Sequence, residues 1–555
     1  MQPQRNAELF CAKTVFSQIL FVILQLLFNP LCHDMNKQKQ LFQIPARWLP
    51  LAMKAGLCLS LALLPHLVKA QEPNIVVIDP TDSPAEIIRK AVRVRPSERQ
   101  FRWQQQELTA FIHFGINTFT DREWGDGTEQ PSVFAPTALD ADQWIKVLKD
   151  AGFKCAILTC KHHDGFCLWP SAYTEHSVKR SPWQNGRGDV VREVSDACKK
   201  HGISFGVYLS PWDRNSPLYG TEDYNDYFVH QLTELLTRYG KVGEVWFDGA
   251  CGEGPNGKRQ SYDFVRWYQV IRQLQPEAVI AVMGPDVRWV GTETGRGRET
   301  EWSVVPNDNL DQKAIAQNSQ TEMLAQPAGD MTGQDLGSRK VIEKAKTLVW
   351  YPAEIDVSIR PGWFHHDHED AKVKTPQELM DIYFSSVGRN GVLLLNVPPN
   401  REGRFSEADV RSLKDMKTLH DSIFARNLLS KAHVKCPSGK GNLRAITDGN
   451  YDTSYQLAGK RGVATITFTL GQEEKFNVLA LQEDIRQGQR VEKFTAEVRN
   501  QDGEWEKIAE GTTVGFKRLL RFPAAQGKQI RVNILQARDV PCIAEIGLYH
   551  SEALY

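Results

Sequence analysis

From about Ala110 to Leu428, short apolar runs alternate with amphipathic segments, and few architectures accept that alternation. The runs TAFIHFGI, KCAILTCKHH, ISFGVYLSPW, VGEVWFDGA, AVIAVMGPD, TLVWYPAEIDV and GVLLLNVPP are almost continuously apolar, as strands covered on both faces of a parallel sheet must be. Between them, ADQWIKVLKDAG, VVREVSDACKKHG, YNDYFVHQLTELLTRYG and YDFVRWYQVIRQLQP repeat their apolar residues at helical spacing. Several of these segments end at glycine, which forms a left-handed C-terminal cap without a Cβ penalty. Seven strand units exceed what a small doubly wound domain needs. The predicted fold class is therefore α/β: an irregular (β/α)8-like (TIM) barrel with one irregular or missing repeat, the doubly wound sheet being the alternative.

The polar residues favour the barrel. In nearly every run they fall at the C-terminal end: His113, His162 and His163, Tyr208 and Trp212, Asp248, then Glu354 and Asp356. Barrels place their active sites on that face, because the strand ends converge there on one pocket. No glycine-rich phosphate loop follows the first strand, which weakens a nucleotide-binding sheet. Past SEADVRSLKDMKTLHDSIFARN the pattern changes to short alternating runs: GVATITFTLG, KFNVLALQED, EKFTAEVRN, KQIRVNIL and AEIGLYH. These predict an antiparallel β-sandwich packed on the barrel. The expected organisation is a leader over 1–70, a catalytic barrel over 71–428 and a sandwich over 429–555.

The leader carries two apolar runs, Val15 to Cys32 and a second from Met53. The second has a basic start at Lys54, an apolar stretch through Leu64 and small or aliphatic residues at Val68 and Ala70, the layout of a secretory signal cleaved after Ala70. Translation is expected to start at Met35 or Met53, with a retained membrane anchor at Val15 to Cys32 as the rival account. The mature protein is thus expected outside the cytoplasm, in the periplasm or beyond. Acidic and basic residues balance at 67 each, so nothing favours nucleic acid or an anionic membrane as partner, and no stable protein partner is implied. Of ten cysteines, Cys11, Cys32 and Cys58 lie in the leader. The odd remainder lacks paired spacing, so Cys155, Cys160 and Cys198 are read as buried free thiols.

Asp248, closing the strand EVWFDGA, is the strongest candidate for a catalytic carboxylate; Gly249 beside it leaves room for a substrate ring. A strand-end aspartate that caps the next turn is the plainer alternative. The adjacent His162 and His163 in KHHDGF suit hydroxyl recognition or a metal, but the further ligands at fixed spacing that metal sites use are missing. HHDHE at His365 to Glu369 resembles a metal site more closely, yet reads as a solvated loop. Among the aromatics, Trp124, Trp302 and Trp363 lie in polar loops and are candidates for stacking on a sugar.

Taken in order, IHFGINTF, EWGDG, KHHDGFCLWPS, GVYLSPW, EVWFDGA and SIRPGWF resemble the α-L-fucosidases of glycoside hydrolase family 29, over about Glu107 to Asn400. The resemblance implies an irregular barrel that hydrolyses terminal α-L-fucose with retention of configuration through a covalent fucosyl-enzyme, without a cofactor. It implies that Asp248 is the nucleophile and that His113, Glu123, Trp124, His162, His163, Tyr208 and Trp363 line the fucose pocket. Glu293, in RWVGTETGRGRETEW, resembles the acid/base of the branch acting on α-1,3/1,4 linkages, with Glu299 and Glu301 as competitors; broad specificity is the alternative. Retention needs two carboxyls roughly 5–5.5 Å apart, one attacking and one protonating the leaving oxygen. If the branch holds, the substrates resemble Lewis-type branched glycans, and the loop from Ser358 to Glu369 would meet the neighbouring galactose. The C-terminal region, with ITDGNYDTSY and LQEDIRQGQRVEKF, resembles discoidin-like domains, implying packing more than sugar binding and compatible with a structural calcium near Asp448 and Asp452. An inactive carbohydrate-binding barrel and a metal-dependent hydrolase using His162, His163 and His365 to His368 stand as readings from other classes.

Overall fold

In the computed structural model, residues 74–307, 334–436, 439–458 and 462–554 are described; the leader, with its signal and anchor alternatives, lies outside them. Eight parallel strands form the barrel wall: β1 Leu108–Ile112, β2 Cys155–Lys161, β3 Ser204–Leu209, β4 Glu244–Phe247, β5 Val279–Val282, β6 Arg288–Trp289, β7 Ala353–Ser358 and β8 Val392–Asn396. Their order is β5-β4-β3-β2-β1-β8-β7-β6. Every residue of β1, β2, β4 and β8 is buried, which is why these runs read as continuously apolar.

The irregularity falls between β5 and β6, which succeed each other without an intervening helix and carry no ladder pairing. Asp286 ties the turn instead: its carboxylate accepts from the Ile280 amide at 2.8 Å and pairs with Arg99 and Arg272. The run TLVWYPAEIDV, expected as one strand, is two. Thr347–Trp350 joins a small antiparallel sheet with Ile75–Val77 and Val304–Pro306, and the chain enters the barrel only at β7. Pro352, which cannot donate to a ladder, sits at the break.

Helices α1 Ala141–Asp150, α2 Val190–His201, α3 Asp223–Arg238, α4 Phe264–Leu274, α5 Pro376–Ser385 and α6 Glu407–Phe424 cover the wall. Asp189 caps α2 by accepting from the Arg192 amide, and Gly202, at φ 67°, ends it. α2 buries Val190, Val191, Val194, Ala197 and Cys198, so each valine stabilises the wall by roughly 1.5–3 kcal/mol. Cys155, Cys160 and Cys198 are buried free thiols.

The C-terminal sheet is antiparallel, and its two long strands, Ala464–Glu483 and Arg518–Ala537, pair along most of their length. GVATITFTLG and KFNVLALQED, expected as separate strands, run together in the first of these. Register shifts after Thr469 and Phe476 mark the irregularities. Ile466 and Phe468 before the shifts, and Leu479 and Leu481 after them, enter one core with Phe494, Ile530, Val532 and Ile546. Barrel and sandwich belong to one unit, and Val478, Ala480 and Leu519 of the sandwich pack into the barrel's own apolar cluster.

Candidate active site

At the C-terminal end of β4, Asp248 has a donor for each carboxylate oxygen. The Tyr208 hydroxyl donates to Oδ2 at 3.0 Å, and the Ala250 amide donates to Oδ1 at 2.7 Å. Tyr208 lies in β3, stacked on Trp246 with centroids 5.3 Å apart. Burial pushes its phenol well above the usual range, so it remains a donor.

Three histidines crowd the same end. His113 follows β1, and its Nδ1 donates to Asn396 Oδ1 at 2.8 Å. Burial lowers its pKa to about 4, so the ring is neutral at neutral pH and Nε2 is an acceptor. Burial likewise holds His162 well below its usual value, with the charges of His163 and His113 adding to the effect. His163 Nδ1 lies 2.8 Å from Ser210 Oγ, whose proton goes to the Trp212 carbonyl; Nδ1 therefore donates. Its Nε2 stands 3.8 Å from Asp248 Oδ2. Neutral imidazoles offering both donors and acceptors match sugar hydroxyls, which need both.

Aromatic faces complete the rim. Trp124 is 52% exposed, edge-on to His163 and Trp212 at 5.2 and 5.5 Å. Trp363 packs 5.2 Å from His113. Glu123 sits behind Trp363: its carboxylate accepts from the backbone amides of Trp363 at 2.8 Å and Phe364 at 3.2 Å, and meets His366 Nε2 at 2.8 Å. Gly362 lets the loop pass close to that carboxylate, since a Cβ there would lie 2.5 Å from Glu123 Oε1.

The three glutamates after β6 part company. Glu293 keeps solvent contact at the rim, yet the protein packed around the rest of its carboxyl disfavours the charge. Burial raises its pKa, a hydrogen bond from Trp363 opposes the rise, and the charges of Asp248 and Glu123 add to it. Glu299 is held between Arg389 and Arg518, and Glu301 is buried against Arg288 and Arg298. Both competitors are thus fixed in ion pairs with arginines. Trp302, a stacking candidate by sequence, is 2% exposed, with the Arg538 guanidinium 3.5 Å from its ring centroid; it belongs to the barrel–sandwich junction.

Asn396 and Ser210 escaped the sequence reading, and Asp356, noted there at a strand end, was given no role. Asn396 closes β8, accepts from His113, and donates to Ser358 Oγ at 2.9 Å and the Trp363 carbonyl at 2.7 Å. The rule that found Asp248, a polar residue closing an apolar run, would have found it. Asp356 accepts from Trp289 Nε1 at 2.8 Å, and its carboxyl is pushed well up by burial, with Glu293 among the charges raising it.

The histidine loop, expected as a solvated one, is largely packed against the protein: His365, His366 and Glu369 are buried, and Asp367 and His368 are exposed. His365 pairs with Ser406, while His366 bridges Asp121 and Glu123. Among the described residues, no group of three or more His, Cys, Asp or Glu side chains is placed to hold a metal ion. In the C-terminal domain, Asp448 accepts from the Asn450 amide and Thr453 Oγ1, and Asp452 pairs with Arg486.

A parallel barrel with carboxyl groups at its C-terminal mouth, ringed by neutral imidazoles and indole faces, has the constellation of a glycoside hydrolase. The Alpha-L-fucosidase family profile matches residues 89–419, and an F5/8 type C domain profile matches 432–546. Alpha-L-fucosidase 1 of Arabidopsis thaliana is 45% identical over 464 residues, covering 82% of this chain and 87% of that one. A crystal structure of a Ruminococcus gnavus GH29 fucosidase in complex with fucose superposes with a TM-score of 0.72 at 34% identity, over 87% of this chain and 99% of that one. A glycoside hydrolase 29 family member from an unknown rumen bacterium gives 0.70 at 39% identity, over 82% and 77%. The chain belongs to the alpha-L-fucosidase family, glycoside hydrolase family 29, with an F5/8 type C domain appended. Its substrate is a fucosylated glycan.

Proposed function

We propose that this enzyme removes terminal α-1,3/1,4-linked fucose with retention of configuration, Asp248 acting as nucleophile and Glu293 as acid/base. The observation that carries the assignment is the separation of the three glutamates. Glu299 and Glu301 are held by arginines, whereas the Asp248 charge is among the causes that raise Glu293, and a raised pKa suits a group that must begin the cycle protonated.

Asp248 Oδ1 and Oδ2 are oriented by the Ala250 amide and the Tyr208 hydroxyl, so attack on the anomeric carbon needs no search for a rotamer. The Asp248–carbon bond forms as the bond to the aglycone oxygen breaks, and that oxygen takes the Glu293 proton. Glu293, now a carboxylate, then draws a proton from water as the water displaces Asp248 and frees fucose. His113, His162 and His163 bind the hydroxyls, while Trp124 and Trp363 cover the ring. For linkage, the loop from Ser358 to Glu369 meets the second sugar of a branched glycan; Glu123 and His366 hold that loop against the fucose pocket. The signal-like layout from Met53 to Ala70 supports a mature enzyme in the periplasm or outside the cell.

The test is fucose release from a Lewis-type trisaccharide and from a 2'-fucosylated one, with the anomer followed by proton NMR. Release from the branched substrate alone, as the α-anomer first, and its loss in Asp248→Ala and Glu293→Ala, is the expected result. Equal rates on both substrates would remove the linkage preference, and a β-anomer would remove retention.

A further inference from the structure

We infer that the C-terminal sandwich is part of the catalytic apparatus: Thr512, Thr513, Gln489 and Arg518 clamp the loop that carries Glu293 and so position the acid/base. The inference rests on the role proposed for Glu293.

From Val290 to Ser303 the loop has no helix or strand of its own, and it contains Gly291, Gly295 and Gly297. Gly291 and Gly295 adopt φ of 102° and 71°, conformations that favour glycine. A glycine-rich segment without its own ladder loses more backbone entropy on ordering than other residues would, so its position is set by what it is tied to. Its first limb is tied to the barrel. The Gly295 amide donates to the Asp356 carbonyl at 3.1 Å, and the Gly297 amide to the Ser385 carbonyl at 2.7 Å.

The second limb is tied to the sandwich. Thr512 Oγ1 donates to the Glu299 carbonyl at 3.0 Å and accepts from Thr300 at 2.9 Å. Thr513 Oγ1 accepts from the Glu301 amide at 3.0 Å. Gln489 spans two turns of the chain, donating to the Glu301 carbonyl at 2.9 Å and accepting from the Ser303 amide at 2.8 Å. Arg518 donates to the Glu299 carbonyl at 2.7 Å and pairs with its carboxylate, which also meets Arg389. Arg389 donates in turn to the Gly297 carbonyl at 2.9 Å. A continuous set of polar contacts therefore joins the sandwich to the backbone four residues beyond Glu293. Displacing a catalytic group by about 1 Å can cost on the order of a hundredfold in rate.

The test uses full-length enzyme carrying Thr512→Val with Thr513→Val, nearly isosteric changes that remove only the hydroxyls. kcat/KM is measured on a fucosylated oligosaccharide, whose leaving oxygen needs a proton, and on α-L-fucosyl fluoride, whose leaving group does not. The expected result is a loss of about tenfold on the oligosaccharide with less than about twofold on the fluoride, a displaced basic limb in the pH profile, and recovery in Thr512→Ser with Thr513→Ser. Arg531→Ala, which breaks a sandwich ion pair with Glu497 outside the clamp, is expected to change neither rate. Equal loss on both substrates with a lowered melting temperature would show a purely structural joint, and no loss on either would show the clamp to be dispensable; both overturn the inference. Glu293→Ala is run alongside, with azide. If it lacks the leaving-group dependence and azide rescue, the acid/base reading itself has failed and the clamp with it. If it shows both while the clamp variants do not, only the clamp has failed.

Discussion

Tyr208 donates its hydroxyl to Asp248 Oδ2 at 3.0 Å while its ring lies stacked on Trp246. One residue thus links the barrel's aromatic interior to the carboxylate at its mouth. Tyr208→Phe keeps the stacking and removes the donor. The expected outcome is a kcat reduced about 10- to 100-fold, since a hydrogen bond to a charged group contributes roughly 1.5–3 kcal/mol, with little change in melting temperature. Steady-state kinetics alongside thermal unfolding check it; a large stability loss with unchanged kcat would contradict it.

Glu293 is raised by burial and, further, by the negative charge of Asp248. In the proposed role of acid, Glu293 must be protonated at the outset, so kcat/KM is expected to fall as pH rises through its pKa, above the ordinary glutamate range. Glu293→Gln should abolish that basic limb along with most activity on oligosaccharides. Asp248→Asn removes one of the charges raising the group and should move the Glu293 titration to lower pH, observable by carbon-13 NMR of the labelled carboxyl.

Inside the barrel, Glu244 and Glu354 form a buried carboxyl pair, with Trp103 Nε1 donating to the first at 3.1 Å and Trp246 Nε1 to the second at 2.6 Å. Burial raises both, Glu354 well above its usual value and Glu244 to about 7, so together they hold a proton in the native state. A raised folded pKa contributes stability that is fully present below the unfolded value of about 4.3 and is lost as pH rises through the folded one. Glu354→Gln, which mimics the protonated acid, should flatten that part of the decline in melting temperature as pH rises above about 4.3. An unchanged pH dependence would show that the pair binds no extra proton on folding.

Arg360 is fully buried and grips Asp409 of α6 through Nε at 3.0 Å and Nη2 at 2.9 Å, with Asp370 on the same guanidinium. Asp409→Ala leaves that charge without its buried partner. A loss of about 3–5 kcal/mol in denaturant unfolding is expected, because breaking one side of a buried pair strands the other. Arg360 also lies in the segment that carries Trp363, so KM should rise in whatever enzyme remains folded.

Much of this was written in the sequence. Strands covered on both faces must be apolar along their length, and residues closing them must gather at one mouth once the strands are parallel, so the barrel, Asp248 and the three histidines followed from local pattern. What pattern could not decide were matters settled by residues distant in the chain. Glu293, Glu299 and Glu301 are chemically alike and almost adjacent; they differ because Arg518, 219 residues on, takes Glu299, and because Arg288 and Arg298 enclose Glu301. Trp302 was indistinguishable from Trp363 until Arg538 covered it. β6, at two residues, was too short to show a period, and the break before β7 fell inside an unbroken apolar run. Periodicity reports which face of an element is dry. Only the packed structure decides which charge finds a partner.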